Sequence, residues 1–167
     1  MTDSFENAPE LIRVEDLHKS FGSLKVMNGI TETIHKGEVV SLIGPSGSGK
    51  STFLRCLNRL EEPTDGEIIF NGVDITKKKY VDASGKKVKL DIDSLRQKMG
   101  MVFQHFNIFP HMSVIDNITL APVLLGKMSK DEAVAKAEAL LSRVGLSDKR
   151  DNKPSRLSGG QKQRLAI

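Results

Sequence analysis

Residues Gly44 to Thr52 read Gly-Pro-Ser-Gly-Ser-Gly-Lys-Ser-Thr, and the rest of the chain can be interpreted from this stretch. Its spacing, a glycine followed after four residues by Gly-Lys-Ser, is typical of a loop that cradles a polyphosphate. Glycine adopts positive φ without strain and lets a ligand approach the backbone. We therefore expect positive φ at Gly44, Gly47 and Gly49, with the N–H groups of residues 46–50 forming an anion-binding nest.

The polar residues that end the loop suit the same ligand. Lys50 brings a mobile positive charge to the β- and γ-phosphates, and the Ser51 hydroxyl suits Mg²⁺. A helix that begins near Lys50 would add the positive end of its dipole. We expect Ser51 or Thr52 to cap this helix.

The flanking sequence fits a strand, a turn and a helix in that order. Residues 39–43 (Val-Val-Ser-Leu-Ile) are β-branched and apolar, which predicts a buried strand. Leucines and Phe53 recur at helical spacing over residues 50–60, until Pro63 breaks the pattern. A glycine-serine linker, the alternative interpretation, would not need these neighbours.

Composition indicates one domain of ordinary size that is cytoplasmic and soluble. The chain has 167 residues, 38% of them apolar, and no apolar run long enough to span a membrane. Residues 1–10 form a polar leader without the apolar core of a signal peptide. The single cysteine, Cys56, is interpreted as a core residue. The formal charge of +4 is too small to indicate a nucleic-acid partner.

Local patterns predict the remaining elements. Roughly alternating apolar residues predict a strand at 12–17, apolar and β-branched stretches predict strands at 30–34 and 66–70, and residues 100–103 read as a buried strand ending at Gln104. Residues 76–91 read as a surface hairpin, followed by a short helix to Lys98 capped by Asp93 or Ser94. Further helices are predicted after Ser113 (to about Leu120), after Ser129 (ended by Gly145), and from Gln161 onward; the middle one should bury Val134, Ala137, Leu140, Leu141 and Val144.

A second glycine-rich element precedes that last helix, with the sequence Leu157-Ser158-Gly159-Gly160-Gln161. Alone, it would more often be a turn; together with the phosphate loop it resembles the signature of ATP-binding subunits of ABC transporters. The resemblance covers Leu11 to Ile167 and implies an α/β P-loop NTPase fold. It implies an antiparallel β unit with an incomplete RecA-like core (residues 11–104) and a helical subdomain (residues 105–167).

The resemblance also implies roles for single residues. Phe21 matches the aromatic residue that stacks on adenine, with Val26 supporting it; the alternative is a ring that only packs on the first strand. Gln104 matches the glutamine that touches Mg²⁺ and the attacking water, and otherwise is a polar strand end. ATP and Mg²⁺ are the implied ligands, and Lys50 and Gln104 the implied catalytic residues. The implied nucleotide-binding set is Phe21, Val26, Gly44, Pro45, Ser46, Gly47, Ser48, Gly49, Lys50, Ser51 and Thr52.

The implied assembly contains other chains. Leu157–Gln161 would contact the γ-phosphate held by a second copy of the subunit. Residues 101–122 and 152–157 most resemble bacterial importers of polar amino acids, which implies transmembrane permease subunits, an extracytoplasmic solute-binding protein and a peripheral place on the cytoplasmic face of the inner membrane. Residues 106–117 would face the permease, although some could belong to the core.

The family pattern continues beyond Ile167. The resemblance implies that the Walker B strand, D-loop and switch histidine follow downstream, and Asp91 and Asp93 do not replace them because they lie in a polar stretch. We expect the 167-residue chain alone to be poorly stable and to hydrolyse ATP negligibly. The alternatives are a cassette ATPase of DNA repair or translation, a small-molecule kinase, and a short nucleotide-binding module without catalysis.

Overall fold

The computed structural model describes residues 8–81 and 84–167, so most of the predicted leader lies outside the described residues. The chain forms two compact units, Met1–Gly100 and Met101–Ile167. No helix in the described ranges is long and apolar enough to cross a bilayer.

The first unit is built on a four-stranded sheet in which every neighbouring pair is antiparallel. Its order is β2-β1-β3-β4, and its strands are β1 (Glu10–Phe21), β2 (Leu24–His35), β3 (Asp65–Phe70) and β4 (Val73–Asp74). The three predicted strands are therefore confirmed. Val14, Leu17 and Ile68 are fully buried on the inner face, and an irregularity in the strand pairing between Val14 and Leu17 lets both face the core although they are three residues apart.

Helix α1 (Lys50–Leu57) covers that inner face and is shorter than the predicted 50–60. It buries Phe53, Cys56 and Leu57 in the core of the unit. Cys56 has no exposed surface, which confirms its interpretation as a core residue. Burial also raises the pKa of its thiol to about 11.

The hairpin and short helix predicted after β4 are present. Strands β5 (Lys79–Val81) and β6 (Lys87–Lys89) pair antiparallel, and α2 (Ile92–Lys98) follows. The predicted cap of α2 is wrong by two or three residues. Asp91 is the N-cap, because its extended backbone lets its carboxylate accept from the N–H groups of Asp93 and Ser94.

Two predicted strands are absent. Residues 39–43 have no strand geometry, and Val39 and Ile43 are 91% and 94% exposed. Residues 100–103 likewise form no strand, and Val102 is 55% exposed. A strand that is apolar on both faces needs hydrogen-bonding neighbours and a cover for each face. No strand in the described ranges pairs with either segment, so their apolar character alone does not make them strands.

The second unit contains three helices around its own core. These are α3 (Val114–Leu124), α4 (Lys130–Arg143) and α5 (Gly159–Ala166), with 3₁₀ turns at Ser147–Lys149 and Pro154–Arg156. Ser113 and Ser129 form the predicted capping boxes with Asp116 and Glu132. The core consists of Val114, Ile115, Ala137, Leu141, Leu146 and Leu157.

Two details of these helices differ from the prediction. Helix α3 runs past Leu120 and contains Pro122. Pro122 has no N–H to donate to the carbonyl four residues before it, but the amide of Leu125 still bonds to the carbonyl of Ala121, so the helix continues past the proline. Helix α4 is rotated relative to the predicted apolar face: it buries Ala133, Ala137 and Leu141 and leaves Leu140 41% exposed.

Candidate functional site

The phosphate loop has two of the three predicted backbone conformations. Gly47 and Gly49 have φ of 82° and 88°, whereas Gly44 is not in the positive region. Glycine at 44 provides space instead, because a Cβ there would lie 2.8 Å from Ser48 Oγ. Gly49 is also the N-cap of α1 and no side chain caps the helix. The predicted cap at Ser51 or Thr52 is therefore wrong, since both residues lie inside the first turn.

The loop leaves most of its N–H groups available. Within residues 8–81 and 84–167, the amide of Ser48 donates to Pro45 O at 3.3 Å, but those of Ser46, Gly47, Gly49 and Lys50 have no acceptor. Helix α1 contributes further amides without acceptors from its first turn, as every helix does. These donors and the positive end of the helix dipole lie in one short segment, an arrangement that favours an anion.

Lys50 lies across the loop that precedes it. Its Nζ donates to Gly44 O at 2.8 Å, to Pro45 O at 2.7 Å and to Ser48 Oγ at 3.2 Å. The ammonium is therefore held over the loop by three acceptors. An anion bound in the loop would therefore lie close to this positive charge.

Strand β2 supports the loop at one defined point. The pairing between β1 and β2 has an irregularity at this point: Lys19 pairs with Met27, and the next residue, Ser20, pairs with Lys25. Val26 lies at this irregularity. A Cβ on Gly49 would come within 3.0 Å of Val26 Cγ1 and 3.1 Å of its carbonyl oxygen. Val26 thus lies close to the loop, and a larger residue at position 49 would require Val26 to shift as well as a strained backbone, since φ there is 88°.

Phe21 lies at the end of the β1–β2 hairpin, where it pairs with Leu24. Its ring is 47% exposed, and the ammonium of Lys19 lies 4.5 Å from the ring centroid. The sequence interpretation missed Lys19. Its signal is positional, because Lys19 follows Leu17 by two residues and so occupies an inward position of β1 that an apolar residue would normally take.

A cavity of about 510 Å³ adjoins the phosphate loop. Gly44, Ser48 and Lys50 contribute to one wall, and the rest of its lining is mostly apolar side chains from β2, residues 40–43 and α1. Such a lining suits further apolar residues rather than a polyphosphate. This cavity is therefore not the predicted phosphate site, which lies in the loop at the start of α1.

The second glycine-rich element begins helix α5. Ser158 is its N-cap and accepts from the amide of Gln161, whose side chain accepts from the amide of Ser158 at 2.8 Å. Leu157 is buried in the core of the second unit, whereas Gly159 and Gly160 are exposed. A Cβ on either glycine would meet nothing within 4 Å. The open surface and the helix N-terminus leave room for an anion that another molecule holds.

Gln104 is exposed in a turn of the second unit, where the predicted strand end is absent. Lys50 and Ser51 belong to the first unit. For a divalent cation, the exposed Ser51 hydroxyl is a suitable oxygen ligand. No group of three or more His, Cys, Asp or Glu side chains in the described part of the chain could hold a metal ion.

Several known proteins are similar to this chain in sequence. The chain is 54% identical over 157 residues to the arginine transport ATP-binding protein ArtM of Bacillus subtilis, and 47% identical over 157 residues to the glutamine transport ATP-binding protein GlnQ of Geobacillus stearothermophilus. Both alignments cover 94% of this chain and 61% of the relative, so the chain spans about three fifths of these proteins.

Solved structures agree with the α/β P-loop fold class. The dimeric structure of MJ0796, a bacterial ABC transporter cassette, matches with a TM-score of 0.78 and 32% identity, covering 94% of this chain and 67% of that one. Its post-hydrolysis state with ADP and Pi gives a TM-score of 0.76. The sequence model described as "ABC transporter" matches residues 27–167. On these grounds, the chain belongs to the ABC transporter family.

Proposed function

We propose that this chain is the ATP-binding part of an importer of polar amino acids, in which ATP binding and hydrolysis drive transport. The observation that carries the proposal is the loop at the start of α1, where Lys50 and several unbonded amides converge. The names of the relatives, which are transport proteins for arginine and glutamine, support the cargo class.

Within this proposal, residues 44–52 bind the phosphates of ATP, and the Phe21 ring stacks on adenine beside Val26. Base–aromatic stacking is favourable because every base offers a flat π face. Mg²⁺ would bind the phosphates with help from Ser51, and the contact with Mg²⁺ that the family resemblance gives to Gln104 stays a prediction. Lys50 would neutralise charge on the transferred phosphate, and Gln104 would orient water.

A second copy of the chain would complete each site. Ser158, Gly159 and Gly160 would reach the γ-phosphate bound by the partner copy, an arrangement supported by the dimeric form of the related MJ0796 cassette. Closure of the two copies would then be coupled to the permease. Permease subunits and a solute-binding protein follow from the importer proposal, as does a peripheral place at the cytoplasmic face of the inner membrane.

Residues 106–117 are proposed as the surface that faces the permease. Phe109 is 47% exposed, and Phe106 and Asn107 have φ of 62° and 49°. Such backbone strain in non-glycine residues is concentrated at functional segments. Asn117 fixes the segment, because its side chain accepts from the amide of Phe109 and donates to the Phe109 and Ser113 carbonyls.

Calorimetric titration with Mg²⁺–ATP tests the nucleotide site. We expect Lys50→Ala to abolish measurable binding, because it removes the charge that the phosphates would meet. Lys36→Ala is the matched control, since Lys36 lies in an exposed turn and also carries one positive charge. Equal affinity of the two variants would refute the phosphate-loop role. Genes for a permease and a solute-binding protein beside this gene would support the importer, whereas a tandem second cassette would favour the repair or translation alternative.

A further inference from the structure

We propose that Lys19 is a positioning residue for Phe21: it holds the aromatic ring at the base end of the nucleotide site and ties that ring to the helix that follows the phosphate loop. The inference rests on the proposed stacking role of Phe21, and it adds a residue that neither the family resemblance nor the motif assigns.

The Lys19 ammonium is unusually well fixed for a lysine. The residue is only 8% exposed. Its Nζ lies 2.6 Å from Glu61 Oε1 and donates to the backbone carbonyl of Glu62 at 2.7 Å. A buried ammonium needs such partners, because burial without them would be costly. Lys19 therefore has one defined position instead of the many open to a surface lysine.

That position lies against the Phe21 ring. The Nζ is 4.5 Å from the ring centroid, within the range of a cation–π interaction. The ring keeps 47% of its surface exposed, so the contact orients it without burying it. An exposed ring at the end of a hairpin would otherwise change rotamer freely. The result is an aromatic ring that is held in one orientation and is still accessible to a base.

The other partners of Lys19 lead back to α1. The amide of Glu61 donates to Arg55 O, in the last turn of the helix, at 3.0 Å. Thr64 ties the same segment to β1, because its amide donates to His18 O at 2.8 Å and its hydroxyl accepts from the amide of Ser20 at 2.9 Å. Residues 61–64 are thus hydrogen-bonded to both α1 and β1, and the side chain of Lys19 adds a further link from β1 to this segment.

This geometry implies that the two ends of the nucleotide site are coupled through Lys19. Helix α1 begins at the phosphate loop, and Phe21 follows Lys19 on β1. Without the ammonium, Phe21 would lose the contact that fixes the orientation of its ring, while the phosphate loop would keep its own contacts. The loss should therefore affect ligands that contain a base and spare ligands that are only phosphate.

Calorimetric titration with two probes, Mg²⁺–ATP and inorganic Mg²⁺–tripolyphosphate, tests the inference. Lys19→Met keeps the length of the side chain and removes the cation. We expect it to weaken ATP binding about tenfold, the low end of what base stacking contributes, and to leave tripolyphosphate binding unchanged. Lys19→Arg should retain most of the ATP affinity, because a guanidinium also stacks on aromatic faces. Circular dichroism of each variant checks that it is folded.

A double-mutant cycle separates positioning from simple stabilisation. If Lys19 acts through the ring, Lys19→Met should have no further effect in a Phe21→Leu background. Equal losses for both probes, or independent effects of the two substitutions, would overturn the inference. A loss in Phe21→Leu without one in Lys19→Met would overturn it and leave the stacking role intact. No loss in Phe21→Leu would overturn both. If Lys19→Met unfolds, Glu61→Gln weakens the same tie and should give a smaller loss of the same selectivity.

Discussion

Replacing Gly49 by alanine should destabilise the first unit far more than the same change at Gly47. Both glycines have φ above 80°, which costs a non-glycine residue about 1–2 kcal/mol. A Cβ at Gly47 would meet nothing within 4 Å, so Gly47→Ala should cost only this strain. At Gly49 the Cβ would lie 3.0 Å from Val26 Cγ1 and 3.1 Å from its carbonyl. Overpacking adds about 1–3 kcal/mol, which brings Gly49→Ala to about 2–5 kcal/mol.

The chain contains its own reporter for this experiment. Tyr80 is the one tyrosine, there is no tryptophan, and Tyr80 lies in the first unit. Urea unfolding followed by tyrosine fluorescence therefore reports on the unit that contains the loop. Val26→Ala should partly rescue Gly49→Ala, because it removes Cγ1 but leaves the carbonyl in place. Equal losses of unfolding free energy at Gly47 and Gly49 would refute the claim that β2 limits the loop sterically.

Other substitutions and conditions test the two cores and the helix caps. Leu141→Ala should lower the free energy of unfolding by about 2–5 kcal/mol, and Leu140→Ala by less than about 1 kcal/mol, because of the two only Leu141 is fully buried. The helical circular-dichroism signal during urea unfolding measures both losses. The raised pKa of the Cys56 thiol predicts that the free energy of unfolding falls between about pH 9 and 11, because the unfolded thiol loses its proton there and the folded one keeps it. Cys56→Ala should remove this component from the pH dependence of the urea midpoint. Hydrogen bonds from Ser113 and Ser129 lower the pKa of Asp116 and Glu132. The stability that these carboxylates provide should therefore be present above their unfolded pKa and disappear as the pH falls through their folded pKa. If Asp116→Asn and Glu132→Gln leave the acid titration of the helical circular-dichroism signal unchanged, the prediction is wrong.

The sequence predicts best those features that depend on neighbouring residues. The two capping boxes require only four residues each, and both are where the spacing places them. Strands β1 and β3 also follow from their apolar and β-branched residues, and they form because each pairs with a neighbour that is present.

Features that depend on distant partners are harder to predict. Residues 39–43 have the composition of a buried strand, yet strand geometry requires hydrogen bonds from other segments, and composition does not supply them. The capping residue of α1 was missed for a related reason. The loop geometry places Gly49 at the N-cap, where β2 limits the space, so a hydroxyl residue with higher cap preference does not fit. Lys19 was missed because its partners lie more than 40 residues away.

The three hydrogen bonds of the Lys50 ammonium have a consequence for ligand selectivity. An incoming ligand competes with the carbonyls of Gly44 and Pro45 for the same protons. A singly charged ion such as chloride offers little to offset that exchange, whereas a chain of linked phosphates brings several charges and many acceptor oxygens. If the loop binds phosphates as proposed, these internal hydrogen bonds of Lys50 would favour a polyphosphate over a small, singly charged anion.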